Sequence, residues 1–177
     1  MFDGCGSKNK GKNMPNWCMN QLTVEHEDAS MVDRFEKAYN EGKACEEFLP
    51  VPKNDDGTVF DGWYDWCVNN WGTKWDIGAK PEQYGLQATR VGNQISCSFD
   101  SAWSPPIQFY EKLVELGYSV RGSYWEPGMA FCGIWDNGDD NYIEYSSSDN
   151  PEEAIPVALW NDYNMEEFFQ DDEEVKS

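Results

Sequence analysis

The sequence has one histidine, His26, and no C-x-x-C pair among its six cysteines. With so few metal-ligating groups at useful spacings, a zinc site, a zincin motif and a histidine-based hydrolase triad are all excluded. Basic residues are scarce as well: 13 Lys and Arg stand against 33 Asp and Glu, a formal charge of −20. Phosphate-backbone recognition needs clustered cations, so direct nucleic-acid binding is not expected, and neither is attraction to an anionic membrane. No apolar run approaches the roughly 18 residues of a membrane span, and no signal-peptide pattern opens the chain. Cysteines at 5, 18, 45, 67, 97 and 132 read as free, mostly buried thiols of a reducing compartment rather than a disulfide framework. No cofactor and no metal is expected.

Aromatic residues are plentiful, with nine each of Trp, Tyr and Phe in 177 residues. A chain this long buries about 70% of its unfolded surface, so the acidity belongs to a folded body. The expectation is one soluble domain with a short appendage.

Met1–Asn13 carries Lys8, Lys10 and Lys12 without an apolar pattern and reads as a mobile basic tail. Trp17–Glu25 alternates as a strand. Asp28 is placed to cap a helix whose apolar residues Met31, Val32, Phe35, Ala38 and Tyr39 lead to a stop at Gly42. Phe48–Pro52 is expected to be extended, because two prolines interrupt it. Asn54–Gly57 reads as a turn and Asp61–Trp71 as a short helix. Tyr84–Val91 and Ile95–Trp103 form a hairpin through Gly92-Asn93, and a second helix follows Pro105-Pro106. Tyr118–Trp125, Met129–Trp135 and Tyr142–Tyr145 complete the strands. The resulting order, with a helical insertion at 53–80, predicts an α+β, ferredoxin-like (split βαβ) antiparallel sheet with two helices on one face. The domain is placed at 14–146. An acidic, partly helical extension occupies 147–177, with Met165, Phe168 and Phe169 available to dock a helix and the last residues frayed.

Five segments in order resemble the YubB-type ferredoxin-like proteins of phages and conjugative plasmids. They are Met14-Pro15-Asn16-Trp17-Cys18-Met19-Asn20, Phe48–Pro52, the tryptophan-rich stretch Trp63–Asp76, Phe99–Pro106 and Glu126–Gly133. The resemblance runs from Met14 to about Phe131. It implies the fold and a mobile-element origin, hence the cytoplasm of an infected host cell. It transfers no activity and no functional residues. It also leaves Met1–Asn13 as an extension, or Met14 as the initiator.

Several residues are candidate sites. Trp63, Trp66, Trp71, Trp75 and Trp103 form either a stacking platform or an aromatic mini-core pinning the insertion. Lys74 and Asp76 flank Trp75 and, with Asp100, make either a polar pocket or a structural ion pair. If catalysis occurs, carboxylates with raised pKa values in that aromatic setting are where it belongs. His26 reads as a surface residue at a strand end. Asp136–Asp140 with Glu144 resembles a Ca²⁺ loop but lacks EF-hand spacing, and a charged hairpin turn is the simpler reading. From Glu126 onward there are 15 acidic residues and one lysine, Lys176. The acidic surface comprises Asp136, Asp139, Asp140, Glu144, Glu152, Glu153, Glu166, Glu167, Asp171 and Asp172. It is a solvating surface, an interaction tail, or an imitation of nucleic-acid charge.

Binding ranks above catalysis. The leading expectation is a phage-encoded accessory protein that engages a basic host protein, a defence or DNA-handling factor, through this surface. A small enzyme or ligand-binding domain built on the Trp-rich loop is the alternative, and a virion component a third.

Overall fold

A computed structural model describes residues 16–80, 86–146 and 150–175 of the chain, with side chains through 170. The basic segment 1–13, the start of the expected strand at Tyr84, and the Asp171 and Asp172 side chains lie outside the described residues.

The chain is mixed α+β. In order it forms β1 (Trp17–Glu25), α1 (Ala29–Asn40), α2 (Ala44–Phe48), α3 (Trp63–Trp71), β2 (Thr89–Val91) and β3 (Gln94–Ala102). Then follow α4 (Ile107–Glu115), β4 (Ser119–Glu126), β5 (Phe131–Asp136), β6 (Asp139–Glu144), α5 (Pro151–Ala154), α6 (Val157–Asp162) and α7 (Met165–Val175). The six strands make one antiparallel sheet in the order β2-β3-β1-β4-β5-β6.

Local chemistry explains most boundaries. Asp28 caps α1 by accepting the Ser30 N–H at 2.8 Å, and Gly42, at φ 72°, ends the helix in the left-handed region. Gly92 at φ 61° turns β2 into β3. Asn137 and Gly138, at φ 46° and 109°, turn β5 into β6 with two left-handed residues, the pairing that matches strand twist. The acidic loop Asp136–Asp140 is therefore a hairpin, with Asp136 paired to Asp139.

Phe48–Pro52 departs from the expected extended segment. Phe48 closes the helix α2, and only Leu49 onward is free of helix. The prolines at 50 and 52 stop that helix rather than prevent it.

One face of the sheet carries the main core. Leu22, Val24, Ile95, Cys97, Phe99 and Val120 pack against Val32, Phe35, Tyr39, Phe109, Tyr110 and Leu113 of α1 and α4. Cys67, Trp71 and Ile77 of the insertion join the same cluster. The insertion is held at its far end by backbone: the Ala79 N–H donates to the Tyr39 carbonyl at 2.9 Å, and a Cβ on Gly78 would sit 2.4 Å from that oxygen.

The opposite face differs from the expected two-layer body. Trp125, Cys132 and Tyr145 are buried under Ile155, Leu159 and Met165, with Met19, Ile134 and Phe169 alongside. The acidic C-terminal segment is thus a third layer over β1, β4 and β5. It is not an appendage to a finished domain. Thr23, Ser96 and Ser98 occupy the uncovered part of that face. Being polar, they need no cover.

Cys18, Cys45, Cys67, Cys97 and Cys132 are free and buried. Burial pushes the thiols of Cys67 and Cys132 up to about 11. Since the thiolate is the nucleophile, Ellman's reagent is expected to leave these five unreacted in the native protein and to titrate them only in denaturant.

Candidate functional site

The insertion folds back on itself to make a cleft. Asn54 and Thr58 close a turn, with the Asn54 N–H donating to the Thr58 carbonyl at 2.9 Å, and a bridge between Lys53 and Val59 brings those two residues together. Facing them are Trp63, Cys67 and Trp71 of α3, then Lys74, Trp75 and Asp76 from the loop after the helix stop at Gly72. With Glu46, Val51 and Pro52 these residues enclose about 310 Å³.

The tryptophans divide between the two expected roles. Trp71 is buried in the core and its indole N–H donates to the Leu49 carbonyl at 2.8 Å. Trp63 is half-buried, packs against the core and lines the cleft. Trp75 lines the cleft and also lies 5.8 Å from the Trp17 ring, at the start of β1. Trp66 packs edge-on against Trp71, 5.9 Å between centroids, and does not line the cleft. Trp103 stands apart from the cleft. It is 43% exposed and sits at φ 72°, a left-handed backbone uncommon for a bulky residue.

Lys74 and Asp76 do not pair. The Lys74 ammonium lies over the Trp75 ring at 4.5 Å and over Tyr64 at 5.5 Å. Asp76 is consumed by backbone: Oδ1 accepts from the Cys45 and Ile77 N–H groups at 2.7 and 2.8 Å, and Oδ2 from Glu46 N–H at 3.0 Å. Burial pushes its carboxyl above the ordinary range, and the three donors pull it back. Glu46 is similarly used, accepting the Val51 N–H at 3.0 Å.

Asp100 does not join the cleft. It stands on β3 opposite Met19, in the cross-sheet row Cys132–Trp125–Met19–Asp100 on the face that the C-terminal layer partly covers. Burial alone pushes its carboxyl up to about 6. A carboxyl raised in the folded state favours folding while protonated, and that contribution is lost as pH rises from about 4 through 6. Asp100→Asn is therefore expected to match wild type near pH 4 and to exceed it near pH 7.5. The gain is about 1 kcal/mol once the group's partial exposure is allowed for, read from urea midpoints at the two pH values.

His26 is not a free surface residue. Its Nδ1 accepts the Asp28 N–H at 2.9 Å, so Nε2 carries the proton and donates to the Leu116 carbonyl at 3.2 Å. It joins the end of β1 to the end of α4.

The acidic residues Asp136, Asp139, Asp140, Glu144, Glu152, Glu153, Glu166 and Glu167 are all exposed. The hairpin carries the first four, and α5 and α7 carry the rest. Glu126 is the exception within the acidic third. It is buried at 1% exposure and accepts the Gly128 and Met129 N–H groups. No Lys or Arg occurs from Glu126 to Val175. Every described cation precedes β5 in the chain, and β5, β6 and the last three helices carry none, although Arg121 of β4 stands opposite Asp136 in the sheet. Among the described residues no group of His, Cys, Asp or Glu could hold a metal ion, and no helix is long and apolar enough to cross a membrane.

Sequence reasoning missed Lys53, Val59 and Trp17 as neighbours of the tryptophan cluster. The turn signal at Asn54–Gly57 was the clue for the first two, because a tight turn folds its flanks onto the same partner.

No family model matches the chain, and no curated protein does. Among solved structures, the protein api92 from Yersinia pseudotuberculosis, with family model DUF1281, is 20% identical at a TM-score of 0.40. The match covers 59% of this chain and 40% of that one, so this chain spans less than half the length of api92.

Proposed function

We propose that the protein is a non-catalytic accessory protein of a mobile element that docks its acidic half onto a basic protein of the host cell. The observation that carries this reading is the acidic excess of one part of the fold: the hairpin and the C-terminal helices present exposed carboxylates and contribute no cation of their own, Arg121 of β4 being the cation beside them. Fields of one sign raise the on-rate of an oppositely charged partner and repel like-charged ones. The carboxylates are carried on paired strands and docked helices, so little ordering entropy opposes association.

The mobile-element origin and the cytoplasm of the infected cell rest on the five YubB-type segments. The sheet order β2-β3-β1-β4, with α1 and α4 as connections, supports a ferredoxin-like split βαβ reading for that part, extended by β5 and β6. Exposed carboxylates on the edge strand β6 also discourage strand addition, which leaves side-chain electrostatics as the mode of contact.

The test is capture from host lysate at low and high salt, followed by reconstitution with the purified partner. Wild type is expected to hold a basic protein that high salt releases. A variant with Glu152, Glu153, Glu166 and Glu167 all changed to Lys is expected to lose it. Displacement of the partner by duplex DNA would identify nucleic-acid imitation. Binding that survives both salt and charge reversal would overturn the proposal.

A further inference from the structure

The cleft of the insertion has a property that the acidic half does not share. Both of its carboxylates are already satisfied, Asp76 by three backbone N–H groups and Glu46 by one. Lys53 and Lys74 of the lining form no ion pair among the described residues, so their ammonium groups are its unengaged donors. In a chain of net charge −20, a lining in which Lys53 and Lys74 offset the charges of Glu46 and Asp76 is locally neutral rather than acidic. Lys74 is steadied by the Tyr64 and Trp75 rings, so its ammonium is positioned rather than free to wander. Half-buried Trp63 and Trp75 line the cleft together with buried Trp71 and Cys67.

We infer that this cleft binds a small planar aromatic anion: one mono- or bicyclic ring carrying a single carboxylate or phosphate. The apolar Trp63 wall favours a ring through stacking, with the Lys74 ammonium over the neighbouring Trp75 ring. The two ammonium groups select a negative charge at the opening. At about 310 Å³ the space lies at the bottom of the range for small-molecule sites. It suits one ring system and excludes a dinucleotide.

Isothermal titration calorimetry on the full chain tests this with two series. One compares indole-3-acetate with indole, and the other compares AMP and GMP with adenosine and guanosine. Inorganic phosphate serves as the ringless control. The expected result is that the anionic member of at least one series binds about tenfold or more tighter than its neutral counterpart and than phosphate. The series that responds distinguishes a carboxylate from a phosphate ligand. Lys53→Gln and Lys74→Gln, which remove charge at exposed or half-exposed positions, are each expected to weaken it about tenfold. Trp63→Phe should weaken it without unfolding the chain, and ligand-induced shifts in the indole N–H signals of an NMR spectrum should map to Trp63 and Trp75. Equal binding of charged and neutral members, indifference to both lysine changes, or no binding of any probe below millimolar concentration would each overturn the inference. None of these results bears on the acidic half, whose partner is read from a different surface.

Discussion

Replacing Asp76 by alanine is expected to cost at least about 3 kcal/mol of folding stability, a fall in Tm of roughly 10 °C for a chain of this size. The reason lies in α2. Its own N-cap position is Lys43, which offers no side-chain acceptor, so the first N–H groups of the helix would be orphaned. Asp76 supplies the missing acceptor from 31 residues away, taking the Cys45 and Glu46 N–H groups while also receiving Ile77. These donors are sheltered from solvent, so removing the carboxylate leaves them without partners rather than hydrated. Asparagine keeps one acceptor oxygen for two of the three donors and turns an amide toward the third. The expected order of stability is Asp, then Asn, then Ala. Urea denaturation followed by tryptophan fluorescence checks it. An alanine variant as stable as wild type would remove Asp76 from the architecture and return it to consideration as a reactive group.

That cap explains why α2 was not legible. A sequence shows caps that are near neighbours, and Asp28 before α1 is one. The Gly92-Asn93 and Asn137-Gly138 turns were equally visible, because left-handed backbone selects its residues locally. Asp76 acts through space, and nothing near Ala44 announces it. The site was legible to the same degree. Helical spacing put Trp63, Trp66, Cys67 and Trp71 on one face, of which all but Trp66 line the cleft, but Lys53 arrives only through the turn, and Asp100 lies on a different face of the sheet from its expected companions. The third layer had a signal that the charge of the tail obscured. Phe131-Cys132-Gly133-Ile134-Trp135 is apolar throughout, and an unbroken apolar run marks a strand buried on both faces. Trp125 beside Tyr124 says the same of β4. Those outward residues needed a cover, and Ile155, Leu159 and Met165 provide it.

Deleting the chain after Ser146 is expected to abolish the native state rather than trim it. The deletion would bare Trp125, which is 2% exposed, contacts the Tyr163, Phe168 and Phe169 rings and donates its indole N–H to the Tyr145 hydroxyl at 2.7 Å. Cys132, Met19 and Ile134 lose the same cover. A contiguous apolar face of this kind binds ANS and associates, so the truncated chain should lose its near-UV circular dichroism and its cooperative transition. Leu159→Ala gives a graded version. That side chain is fully buried, and its truncation should cost about 3 kcal/mol. Glu166 and Glu167 on the same layer are exposed in the first turn of α7, and their reversal to Lys should cost no more than about 1 kcal/mol each, set by the helix dipole. The contrast separates the two jobs of one segment: its inner residues hold the sheet closed, and its outer residues are free to be read by a partner. A truncated chain that keeps a sharp unfolding transition and stays monomeric would show that the sheet is complete without its third layer.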